Sequence, residues 1–169
     1  MQSLAALRHF DFNAAGAYAY EQAVETIRQL QLPAFDVEQQ FRRAVLNVLI
    51  RNQDDHVKNI AFLMNREGEW RLSPAFDVSY AYNPAGSWTQ QHQMSLNGKR
   101  DHFELDDLLQ FGAFCGMKPA KARDIIEGIH EQVENWMAHA DRAGVPESLA
   151  ARLHPVSYTH LRAHETKAN

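Results

Sequence analysis

The spacing of apolar residues between Pro33 and Arg51 constrains this chain more than any other feature. Phe41, Ala44, Val45, Val48 and Leu49 recur at i, i+3, i+4, i+7 and i+8, which is the stripe of a helix with one face against a core. Asp36 reads as the N-cap of that helix, with Gln39 three residues on as its capping-box partner. The helix then runs without a breaker into Asn52-Gln53-Asp54-Asp55-His56, a wholly polar loop. The remaining apolar segments must therefore assemble around a junction where a core helix delivers several polar side chains.

Those segments are mostly helical in period. Tyr20, Ala23, Val24, Ile27 and Leu30 predict a helix over 20–31, ended by Pro33. After the polar loop, two short apolar runs at 60–64 and 70–72 flank Arg66-Glu67-Gly68-Glu69, so they read as a β-hairpin closed by Pro74. Pro84 and Gly86 mark 83–88 as a loop. Met94 and Leu96 alternate before Asn97-Gly98, which predicts a strand over 92–96 and a turn. Residues 105–114 form a helix that stops near Gly116. Pro119 opens the longest helix, whose stripe runs from Ala122 through Ile126 and Val133 to Ala140, with Gly144 as its C-cap glycine. Trp70 and Trp136 are expected in the core and Trp88 at the surface. The fold class is α+β, mainly α-helical, with a small β element in the middle.

Composition narrows the function. The chain has 169 residues, 45% of them hydrophobic, which suffices for one buried core. A net charge of −4 argues against a general nucleic-acid binder, because such proteins carry excess Lys and Arg for the phosphates. The single cysteine, Cys115, excludes a disulfide framework and any multi-cysteine zinc site, and reads as a packed small hydrophobe. His92 and His102 fit no common metal-ligand spacing. No apolar run approaches the ~20 residues of a membrane span, and Met1 to Phe10 lacks the apolar stretch of a signal peptide. The expectation is a cytoplasmic protein that binds neither membrane nor nucleic acid directly.

The chemistry concentrates between Asn52 and Asp77. The polar loop carries Asp54, Asp55, His56, Lys58 and Asn59, and the hairpin returns the chain to Ala75-Phe76-Asp77. Such a return sets the Asp77 carboxylate beside the Asn59 amide, hard oxygen ligands of the kind Mg²⁺ takes together with substrate phosphates. Phosphoryl transfer needs an Asp to accept the hydroxyl proton, and an Asn and an Asp to hold the metal. The spacing Asp54-x-x-x-x-Asn59 matches that of the catalytic loop of protein kinases. For His56, bracing of the loop and contact with a nucleotide stand level; Lys58 suits a phosphate.

The ordered pair of motifs, Asn52-Gln53-Asp54-Asp55-His56-Val57-Lys58-Asn59 and then Trp70-Arg71-Leu72-Ser73-Pro74-Ala75-Phe76-Asp77-Val78, resembles the C-terminal region of the HipA family. These are serine/threonine kinases, the toxin halves of bacterial toxin–antitoxin pairs. Met94-Ser95-Leu96-Asn97-Gly98-Lys99-Arg100 also resembles the strand and turn that follow in the family, so the likeness covers roughly residues 18–144. The resemblance implies a protein-kinase-like C-lobe whose small β-hairpin carries the metal-binding segment. It implies Asp54 as catalytic base and Asn59 and Asp77 as ligands of Mg²⁺. His56, Val57, Lys58 and Asn59 with Phe76 would line the ATP site. Asp55 stands where a small residue such as glycine can occur in the family, which leaves two adjacent carboxylates; the spacing to Asn59 favours Asp54 as base, with Asp55 supporting the site from behind or facing substrate.

The implied partners are a protein with a Ser/Thr hydroxyl and a DNA-binding antitoxin. A small-molecule phosphotransferase and a non-catalytic antitoxin-binding module are the alternatives. The chain has no glycine-rich phosphate loop and no upstream strand lysine, both of which kinase catalysis uses. Residues 1–155 are thus expected to be a C-lobe fragment without its N-lobe, inactive alone. Residues 156–169 are expected to be non-native, because Val156 to Thr166 resembles one reading frame of a transposon-based sequencing adapter.

Overall fold

The computed structural model describes residues 1–153, so the expectation for residues 156–169 lies outside the described residues. Within them the chain is helix-rich with one small sheet. In order the elements are β1 (Gln2–Ser3), α1 (Leu4–Arg8), α2 (Tyr20–Gln29), α3 (Ala34–Leu49), β2 (Ala61–Met64), β3 (Trp70–Leu72), α4 (Leu105–Phe114), α5 (Pro119–Glu134), α6 (Trp136–Arg142) and α7 (Glu147–Leu153). No helix among the described residues is long and apolar enough to cross a membrane.

The core lies where α3 meets α2, α4 and α5. The apolar stripe of α3 is buried throughout, and its Phe41 ring sits 5.8 Å from that of Phe111 on α4. Tyr20 of α2 brings a third ring to within 6.2 Å of Phe111. Gly112 lets α4 approach α5 closely: a Cβ built there would lie 2.7 Å from the Ala122 Cβ. Cys115 packs at the end of α4, where burial pushes its thiol up to about 12, so it behaves as an apolar group. Trp88 is surface-exposed.

The sheet is antiparallel in the order β1-β2-β3, with Gln2 opposite Phe62 and Phe62 opposite Leu72. Phe62 and Leu72 face inward and are buried. At the β2–β3 turn Gly68 takes φ +85°, a left-handed conformation that costs glycine little, and Asn65 Oδ1 accepts the backbone N–H groups of Glu67 and Glu69. Strand β1 escapes a sequence reading because two residues carry no period. It matters to the site all the same, since the N–H groups of Leu4 and Ala5 just after it donate to the carbonyls of Ile60 and Val57 at 2.7 and 3.1 Å.

Four local expectations need correction. Helix α3 starts at Ala34 with Pro33 at the N-cap, so Asp36 lies in the first turn instead of capping it. There its buried carboxylate meets the positive end of the helix, accepts the Leu72 N–H at 3.4 Å and opposes the effect of burial on Arg43, whose guanidinium is lowered from its ordinary value. Residues 92–96 form no strand. Met94 and Leu96 are buried on one side as their alternation suggests, but the backbone makes only the isolated bridges Ala19↔Ser95 and Leu96↔Lys99. The long C-terminal helix breaks at Asn135 into α5 and α6, with Gly144 (φ +71°) just beyond the end of α6. Trp136 is only half-buried, and the break turns its indole N–H toward the Ala150 carbonyl at 2.9 Å.

Candidate functional site

Helix α3 ends at Leu49, and Arg51 takes φ +54°, which turns the chain out of the helix and into the polar loop. The loop is pinned from both sides. The Asn52 N–H donates to the Asn47 carbonyl at 2.9 Å, and the Asn59 N–H closes a turn on the His56 carbonyl at 2.9 Å. Strand β2 follows at once, and after β3 the Ser73 N–H returns to the Ala61 carbonyl at 2.9 Å. Arg43 of α3 donates to the Ser73 carbonyl at 2.6 Å, fixing the start of the segment that carries Phe76 and Asp77. Asp77 itself adopts φ +53°, a left-handed conformation that aspartate, like asparagine, enters more readily than other side chains.

This path brings His56, Asn59, Phe76 and Asp77 to one concavity, lined also by Tyr20, Gln40, Arg43, Asn47, Asn52 and Asp55, and leaves Asp54 outside that lining. Its cavity of about 20 Å³ has room for a water or a small ion. Asn59 Nδ2 is committed to the Asp54 carbonyl at 3.0 Å, so the amide offers its acceptor end, Oδ1. Among the described residues no group of three or more His, Cys, Asp and Glu side chains gathers. The donor set here is one carboxylate and one amide oxygen, which fits Mg²⁺ with water and phosphate completing its shell and does not fit zinc.

The two adjacent carboxylates occupy opposite environments. The Asp54 side chain is 49% exposed and stands 3.9 Å from His56 Nε2, free to meet a solute. The Asp55 side chain is 1% exposed and fully engaged. Its Oδ2 accepts the Tyr20 hydroxyl at 2.7 Å and faces His92 Nδ1 at 2.7 Å, while Oδ1 accepts the Gln93 N–H at 2.7 Å. Burial, then the Asp55 charge, raises the Tyr20 phenol well above its ordinary value, so it stays a donor. Of the two readings open for Asp55, a support behind the site or a charge facing substrate, the burial and the three bonds favour the support.

Two of the expected nucleotide-site residues are not brought to the concavity. The Val57 side chain is buried in the core. Lys58 extends its ammonium over the Phe12 ring, 3.7 Å from the centroid. Tyr20, Asn47 and His92 were not legible as site residues, since their partners lie 27 to 37 positions away. The one available signal was the adjacency of Asp54 and Asp55: two like charges side by side need different surroundings.

A family model for HipA-like C-terminal domains matches residues 1–137. Among solved structures, a chain of the Shewanella oneidensis MR-1 toxin–antitoxin complex of HipA, HipB and operator DNA matches with a TM-score of 0.68 at 20% sequence identity. The match covers 86% of this chain and 34% of that one, so the chain spans about a third of its structural relative. No curated protein sequence matches.

Proposed function

The chain belongs to the family of HipA-like C-terminal domains, and from that premise we propose that it is the kinase-like C-lobe of an ATP- and Mg²⁺-dependent protein serine/threonine kinase of the HipA toxin type. One observation carries the reading: Asn59, Asp77, His56 and Phe76 share one concavity, with the exposed carboxylate of Asp54 one residue outside the buried Asp55. In this reading Asp54 accepts the proton of a Ser or Thr hydroxyl as the γ-phosphoryl group passes to the hydroxyl oxygen and its bond to the β-phosphate oxygen breaks, releasing ADP. Asn59 and Asp77 hold Mg²⁺, which supplies positive charge to the phosphates. His56 and Phe76 face the nucleotide, and Asp55 is a support of the loop with no contact to substrate.

The chain spans about a third of its structural relative, and in this reading ATP is held jointly with a further lobe, so that this chain alone is inactive. By analogy with the HipA–HipB–DNA complex, the partner of the whole protein is a DNA-binding antitoxin, and the protein is cytoplasmic.

The test uses the full-length protein that carries this region, incubated with γ-labelled ATP, Mg²⁺ and a protein extract. Asp54→Ala should lower transfer by roughly 10²–10⁴-fold, the usual contribution of a positioned base. Asp77→Ala should abolish transfer while circular dichroism stays native. Transfer at the wild-type rate in both variants overturns the assignment.

A further inference from the structure

Asp55 takes no part in the proposed transfer, yet it begins a continuous chain of hydrogen bonds that ends at Asp77. Its Oδ2 accepts the Tyr20 hydroxyl at 2.7 Å, and the Tyr20 oxygen in turn accepts from Asn47 Nδ2 at 2.9 Å. Asn47 Oδ1 accepts from Asn52 Nδ2 at 3.0 Å, and the same Nδ2 reaches the Asp77 carbonyl at 3.4 Å. Each link joins a different piece of the fold: the loop at 55, helix α2 at 20, helix α3 at 47, the start of the loop at 52 and the post-hairpin segment at 77. Asp55, Asn52 and the Tyr20 ring are almost wholly buried, Asn47 is half-buried and Asp77 is exposed, so the relay runs from a dry end at Tyr20–Asp55 to a solvent-facing end at Asp77.

Arg43 holds the Ser73 carbonyl on one side of Asp77 and the Arg51 carbonyl accepts the Ala81 N–H on the other, while at Asp77 itself the hydrogen bond among the described residues is the one from Asn52. Asp77 lies in an exposed stretch outside any regular element, in a left-handed conformation that neighbouring structure must maintain. Asp54 sits on the exposed side of the loop that Asp55 anchors from beneath. The side chain that would take the proton and the one that would hold the metal thus hang from opposite ends of one polar relay.

We infer that the relay Asp55–Tyr20–Asn47–Asn52 fixes Asp77 relative to Asp54, which makes Tyr20 and Asn52 positioning residues. For catalysis this rests on the kinase reading given above; as a statement about the two segments it stands on the hydrogen bonds alone. A series arrangement has a particular consequence: cutting it at either link has the same effect as cutting both.

The experiment takes Tyr20→Phe, Asn52→Ala and the double variant of the full-length protein. Tyr20→Phe keeps the buried ring and removes only the hydroxyl. Each single variant should lower kcat by roughly ten- to a hundredfold, the scale of a small misplacement of reacting groups, with KM for ATP changed less than about twofold. The double variant should fall no further than the worse single one. Multiplying losses, an unchanged kcat, or a kcat loss matched by the rise in KM overturns the relay. Backbone NMR gives a second readout that needs no activity: Tyr20→Phe should move the carbonyl resonance of Asp77, which accepts from Asn52, in the direction that Asn52→Ala moves it. An Asp77 carbonyl resonance unmoved in Tyr20→Phe overturns the relay even if the kinase is active. Absence of transfer by the wild-type protein refutes the kinase reading and leaves this resonance to decide the relay.

Discussion

Helices α2 to α5 are held together by apolar stripes, whereas the segment from Ser73 to Glu104 between β3 and α4 adds individual polar contacts to three buried apolar anchors, Met94, Leu96 and Phe103. In the first region Phe41, Phe111, Ile125 and Ile126 are buried on facing helices, and each contact is backed by many others. In the second, helices and multi-residue strands are absent among the described residues. Outside those anchors its position comes from a few bonds: Arg43 to the Ser73 carbonyl at 2.6 Å, the Asn97 N–H to Glu21 at 2.8 Å, and the Arg100 guanidinium to the His92 carbonyl at 2.6 Å. Gly16 supplies one close approach, with Arg100 filling the space that its Cβ would need. The difference shows where the fold keeps its stability and where it keeps its adjustable parts. Distributed burial resists any one substitution elsewhere, while point contacts let a site segment be placed, or displaced, one bond at a time.

The largest effects should come from the helical region. Phe41→Ala removes a fully buried ring that touches Phe111, and should cost about 3–5 kcal/mol and lower the melting temperature by roughly 10 °C. Thermal denaturation followed by circular dichroism measures it; a loss under 1 kcal/mol would mean that the stripe does not carry the fold. Gly112→Ala is the sharper probe. Helix propensity alone would gain about 1 kcal/mol, but the new Cβ would meet that of Ala122 at 2.7 Å, and overpacking costs about 1–3 kcal/mol. The net should be a loss of about 1 kcal/mol. A variant more stable than wild type in urea would show that α4 and α5 can separate, and the contrast between a rigid and an adjustable region would fail.

The same contrast explains what the sequence disclosed. Period-3.6 burial is written locally, so Leu105–Phe114 matches the expected helix, and α3 carries the stripe from Phe41 to Leu49. Cap positions are less secure, because Asp36 has two uses open to a first-turn carboxylate and the fold takes the one that also receives the Leu72 N–H. The alternation at Met94 and Leu96 reports burial correctly but not a strand, since the neighbouring segment 16–20 makes one isolated bridge with it before turning into α2. Within the site, the loop and the return to Asp77 are legible because a hairpin links them along the chain. The Tyr20–Asp55–His92 cluster is not, because partners brought together across 35 and 37 residues leave no local pattern.

The smallest effect tests one of the polar contacts of the second region. Asp107, in the first turn of α4, accepts from Lys99 Nζ at 2.7 Å, from Asn97 Nδ2 at 2.9 Å and from the Glu104 N–H at 2.8 Å. Burial by itself would raise its carboxyl, but these three donors outweigh it and hold the group below the usual carboxylate range. A folded-state value below the unfolded one gives stability that is complete above about pH 4. That stability is lost as pH falls through the folded value. Lys99 has the opposite sign: its hydrogen bond to Asp107 raises it, so its share is present below about pH 10 and is lost as pH rises through its folded value. Asp107→Asn should therefore cost about 1 kcal/mol at pH 7, and the cost should shrink between about pH 4 and pH 2 as the wild-type carboxylate protonates. Urea denaturation of both proteins across that range measures the difference directly. A gap that stays constant from pH 7 to pH 2 would mean that shape at residue 107, and not its charge, holds the turn at Asn97 to Lys99 against α4.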